Sequence, residues 1–90
     1  PEQFVNLKKM LALATQAQEL SHAKLCSQAD SVLRQAENLF SEHATYYTAK
    51  GYVDACLGDQ NRARAAWQTA LRLHPPYARQ RAALEEELRQ

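Results

Sequence analysis

Apolar residues along this chain fall three and four positions apart rather than alternately, and one such run is written twice. Ala29, Leu33, Ala36 and Leu39 recur 34 residues later as Ala63, Trp67, Ala70 and Leu73. That spacing lays apolar side chains along one side of a helix. A period of 34 residues points to stacked helix-turn-helix units, which bury their apolar faces only against neighbours. The pattern predicts five helices, over about residues 2–20, 25–40, 43–57, 60–73 and 76–89. The first carries a broad apolar row of Val5, Leu7, Leu11, Leu13 and Ala14. The last sets Leu84 and Leu88 one turn apart, as a lid over the fourth helix and the third. Pro75 and Pro76 divide the last two helices, because proline disfavours helix in the residue before it and suits a first helical turn.

The second copy has further punctuation. From Tyr47 it reads Y-x3-G-x6-G-D-x3-A-x3-W-x2-A-L-x-L-x-P, with Gly51, Gly58, Asp59, Ala63, Trp67, Ala70, Leu71, Leu73 and Pro75 in place. Gly51 lies inside a helical pattern, where it costs roughly 0.8–1.0 kcal/mol against Ala, so close packing is its expected reason. Gly58 followed by Asp59 reads as a helix stop and then an N-cap. On these residues the chain resembles the tetratricopeptide repeat family over about residues 10–76. The resemblance implies an all-α, right-handed solenoid of antiparallel helix pairs in one domain spanning residues 1–90. Repeat one would cover about 10–43, repeat two about 44–77, and a capping helix about 76–90. Departures are visible. Leu13, Ala17, Lys24 and Leu25 stand where Tyr47, Gly51, Gly58 and Asp59 stand in the second copy. Lys50 and Asp54 occupy positions where the family has large apolar and aromatic residues, so repacking by Tyr46, Tyr52 or Val53 is expected.

The resemblance also implies a binding function: the first helix of each repeat lines a concave groove that takes a partner peptide or helix. Carried over residue by residue, the groove-facing set is Ala14, Gln18, Thr45, Thr48, Tyr52, Arg79 and Glu86. Ala14, Gln18 and Thr48 replace the Lys and Asn groups of the family's carboxylate clamp, which argues against a receptor for chaperone tails. Tyr47 is expected in the core and Tyr52 in contact with the partner, since aromatic side chains serve as anchors at interfaces. Trp67 is expected to be buried between the third, fourth and fifth helices. The leading reading is a protein-interaction scaffold, and the alternative is self-association, as a homodimer or by docking within a larger protein.

Composition changes this picture little. Ninety residues with 46% apolar content make one small domain. The two halves carry net charges of −1 and +2, too even for a nucleic-acid site. Arg62, Arg64, Arg72, Arg79 and Arg81 read as a solvated face with helical ion pairs. No apolar run is long enough to insert in a membrane, and no signal peptide is evident. The chain begins at Pro1 rather than Met, and the expectation is either an engineered boundary or a fragment of a longer protein. His22, His43 and His74 lack partners at metal-ligand spacing, and neither a nucleophile elbow nor a phosphate-binding glycine loop occurs. No enzyme activity and no cofactor are expected. Cys26 and Cys56 are expected to be reduced and partly buried, with a periplasmic or secreted disulfide as the alternative. The compartment stays unknown, with a cytoplasmic setting favoured slightly over a periplasmic one.

Overall fold

Capping chemistry sets where the helices begin and end. A computed structural model describes residues 2–90 and contains α1 (Glu2–His22), α2 (Cys26–Leu39), α3 (Ala44–Cys56), α4 (Gln60–Arg72) and α5 (Ala78–Arg89). Among the described residues there is no strand. After α3, the Asp59 N–H donates to the Asp54 carbonyl at 2.9 Å and the Gly58 N–H to that of Ala55 at 3.0 Å, a Schellman stop with Gly58 at φ 90°. Asp59 then caps α4, its Oδ1 accepting from the Arg62 N–H at 3.0 Å. The same stop closes α1, 34 residues earlier: Leu25 N–H to Leu20 carbonyl at 2.9 Å and Lys24 N–H to Ser21 carbonyl at 3.0 Å. Lys24 takes the left-handed conformation there, φ 66°, without glycine's freedom. Leu25 offers α2 no side-chain cap. The backbone geometry therefore repeats even where the residues do not.

Short returns make neighbouring helices antiparallel. α1 packs on α2 and α3 on α4, α3 also lies against α1, and α5 leans on α4. The stack measures 40 × 28 × 18 Å and is compatible with a helical repeat arrangement. Its interior has two parts. Met10, Ala14 and Ala17 of α1 meet Ala29, Leu33 and Ala36 of α2 and Tyr46, Ala49 and Val53 of α3. Ala63, Trp67 and Ala70 of α4 meet Leu84 of α5. Tyr47 is half-buried and packs against both. The repeated alanines are wholly buried, which permits close approach of helices at Ala29, Ala36, Ala63 and Ala70.

Several expectations need correction. α5 begins at Ala78 with Tyr77 as its N-cap, so Pro76 belongs to the connection and not to the first turn. Left-handed His74, φ 59°, ends α4, and Pro75 has no N–H to complete a second closing bond. In α1 the buried row is Met10, Ala14, Ala17 and Ser21, while Val5 is exposed, because the N-terminal turns of this 21-residue helix outreach the 14-residue α2. Cys26 and Cys56 are joined in a disulfide, Cα–Cα 5.5 Å, rather than reduced. Antiparallel packing brings the first residue of α2 and the last of α3 to the same end of the stack, a proximity that thirty residues of separation conceal. Lys50 and Asp54 are accommodated by pairing with each other, Nζ to Oδ2 3.1 Å, while Tyr46 and Val53 supply the apolar contact on α3. Of the clustered arginines, Arg64 is half-buried and donates to the Leu88 carbonyl at 3.0 Å. The ion pairs found among the described residues lie elsewhere, at Arg34–Asp30, Lys50–Asp54 and Arg89–Glu86.

Candidate functional site: a groove across three helices

α1, α3 and the start of α5 enclose an open groove of about 660 Å³. Thr15, the neighbours Gln18 and Glu19, and His22 stand at three- and four-residue steps on α1 and form one wall. Thr45, Thr48 and Tyr52 on α3 form the floor, and Tyr77, Arg79 and Gln80 rise opposite. Gln80 ties that wall to the floor, its amide donating to Thr48 Oγ1 at 3.1 Å and to Thr45 Oγ1 at 3.4 Å. Thr48 donates in turn to the Ala44 carbonyl at 2.8 Å. These polar groups face each other instead of water, so α5 is held to α3 by directional bonds as well as by Leu84. Tyr77 is 71% exposed at the mouth of the groove.

At one end of the groove, Tyr52 lies edge-on to the rings of His22 at 4.8 Å and Trp67 at 5.3 Å. Burial, and then the Glu87 carboxylate beside it, push the Tyr52 phenol up to about 12, so it remains a neutral donor. Tyr52 and His22 also line a second depression of about 430 Å³, shared with Arg64, Trp67 and Glu87. Trp67 itself is interior, 4% exposed, with its indole N–H donating to the Thr48 carbonyl at 3.3 Å. Gly51 makes room for it, since a methyl group at that position would overlap the indole ring.

Five of the expected groove residues, Gln18, Thr45, Thr48, Tyr52 and Arg79, line this one surface. Ala14 does not: although it lies one helical turn before Gln18 on nearly the same face of α1, it is fully buried in the cluster shared by α1, α2 and α3. Glu86 is also excluded, lying on the exposed side of α5 beside Arg89. Sequence reasoning missed Thr15, Glu19, His22, Tyr77, Gln80 and Ala83. Thr15, one turn before Glu19 and three residues before Gln18, was recoverable from helical spacing, whereas Tyr77 and Gln80 depended on the angle at which α5 returns. Among the described residues no group of three or more His, Cys, Asp or Glu side chains could hold a metal ion. No helix among them is long and apolar enough to cross a membrane. Comparison with protein-family models, with curated proteins and with solved structures finds no match.

Proposed function

We propose that this is a tetratricopeptide-like binding module that takes an extended segment of a partner protein along the groove between α1, α3 and α5. The observation that carries this reading is the groove itself: a surface built from three separate helices, with an exposed aromatic at its mouth and polar side chains along its walls, Glu19 and Arg79 among them. Amide and hydroxyl side chains suit the carbonyl and N–H groups of a peptide, and Tyr77 and Tyr52 offer apolar area with little rotamer entropy. Arg79 is exposed and favours an acidic or carboxylate-bearing residue, through the fixed fork of its guanidinium. A two-repeat surface presents limited area, and micromolar affinity follows.

The test is selection of peptides from a random library on the immobilised domain, followed by titration against variants. Tyr77→Ala and Arg79→Ala should each weaken the selected peptides roughly tenfold, about 1.4 kcal/mol, with unchanged melting. Arg72→Ala, remote from the groove lining, should not. Peptides that bind all three variants equally would place recognition elsewhere and end this reading. Self-association is the second reading, supported by Phe4 at 60% and Val5 at 47% exposure on the part of α1 that outreaches α2. A concentration-dependent dimer in light scattering that Phe4→Ser abolishes would favour it.

A further inference from the structure

We propose that the Cys26–Cys56 disulfide is a redox latch on the groove: oxidised, it holds His22 against Tyr52, and reduction by a dithiol frees that end of the groove while the stack stays folded. The bond joins the first residue of α2 to the last of α3, and the Ser21 carbonyl at the end of α1 lies 3.5 Å from Cys56 Sγ. Three helix ends therefore meet at the two sulfurs. His22, the last residue of α1, stands four residues before Cys26 across the turn into α2, and Tyr52 precedes Cys56 by one helical turn, so each ring of the pair that meets at 4.8 Å lies within four residues of one of the bonded cysteines. These same two residues divide the groove from the smaller depression beyond it. The α2–α3 seam is sparse beside the α1–α2, α3–α4 and α1–α3 contacts, so the covalent bond reinforces a thin seam while α1 packs directly on α3.

The sulfurs are suited to exchange and not only to permanence. Both cysteines are half-buried, within reach of a small dithiol. Cys26 sits at the positive end of α2, where Leu25 supplies no side-chain cap and the first turn has no acidic residue, so unpaired backbone N–H groups stabilise a Cys26 thiolate. Cys56 lies at the negative end of α3, which disfavours a thiolate. Exchange is accordingly polarised: a thiolate of the dithiol bonds to the Cys56 sulfur, and Cys26 leaves with the electron pair of the broken S–S bond. The second thiolate of the reagent then displaces Cys56 and closes the reagent's own disulfide. The two protons released by the reagent end on the two protein sulfurs, completing a two-electron reduction.

This latch rests on the groove reading only for what it controls, and its geometry is tested with no partner present. The experiment compares NMR spectra of the whole isotopically labelled chain, air-oxidised and in dithiothreitol, with alkylation and mass measurement to count free thiols. Reduction should leave the helical amide signals dispersed. Shifts should concentrate at residues 21–26 and 52–58, and the contact signal between the His22 and Tyr52 rings should be lost. Cys26→Ala/Cys56→Ala should give the reduced pattern and ignore the reagent. Three results would overturn the latch: free thiols in the air-oxidised chain, a His22–Tyr52 contact that survives reduction, or unfolding of both the reduced chain and the alanine pair.

Discussion

Lys24 and Gly58 do the same backbone work with different means. A left-handed residue with a β-carbon costs about 1–2 kcal/mol, and Gly58 escapes this where Lys24, φ 66°, does not. Lys24→Gly should therefore stabilise the fold by roughly 0.5–1 kcal/mol after the extra unfolded-state entropy of glycine, read from denaturant midpoints. A loss of stability would contradict the stop as described. His43 is the other residue with a measurable signature. Its Nδ1 accepts from the Thr45 N–H at 3.0 Å to cap α3, which requires the ring to be unprotonated at that nitrogen, and burial lowers its pKa below the ordinary 6.5. The unfolded chain thus takes up a proton before the folded one does. The contribution of His43 is complete above the unfolded value and is lost as pH falls through it toward the folded one. His43→Asn, which caps without titrating, should flatten the acid limb of a stability-against-pH curve below about pH 6.5.

Among the elements, α4 depends most on a single side chain. Trp67 fills the space between α3, α4 and α5, and it can do so only because Gly51 on α3 has no β-carbon. Alanine at Gly51 would gain about 0.8–1.0 kcal/mol of helix propensity. Overlap with the indole opposes this by about 1–3 kcal/mol, so Gly51→Ala should be net destabilising despite making α3 a better helix. Trp67→Ala should cost about 3–5 kcal/mol. Fluorescence offers an independent check: emission from native Trp67, 4% exposed, should be blue-shifted, and a fully solvated spectrum would refute the packing. α5 is the opposite case. It rests on Leu84, on Gln80 against the α3 hydroxyls and on Arg64 at its last carbonyls, so its position answers to a few polar contacts.

For the whole molecule, the disulfide contributes on the same scale as the largest single packing contact. It closes a separation of 30 residues, and restricting the unfolded chain to that extent contributes about 3–4 kcal/mol. A domain of this size has about 5–15 kcal/mol in total. Reduction should then lower Tm by at least about 10 °C in calorimetry without abolishing the cooperative transition. A Tm insensitive to reductant would mean that the bond contributes little to stability.

The all-helical fold, the number of helices and their approximate bounds were legible in the chain because each rests on local rules. Apolar residues three and four apart specify which side of a helix is buried, as Ala29, Leu33 and Ala36 do for α2, and the Gly58–Asp59 pair specifies a stop followed by a cap. Five groove residues, Gln18, Thr45, Thr48, Tyr52 and Arg79, were expected from the resemblance to tetratricopeptide repeats and not from the periodicity itself, and they do line one surface. What only the tertiary structure decided are the relations between distant segments. Ala14 is interior and Gln18 lines the groove although they stand one turn apart on α1, because burial there is set by which neighbouring helices cover each turn, which no local pattern encodes. Tyr77 and Gln80 reach the groove because α5 folds back against α3, where Gln80 bonds to Thr45 and Thr48. Cys26 and Cys56 meet because antiparallel stacking returns alternate helix ends to one side, a distance set by packing and not by the residues between them.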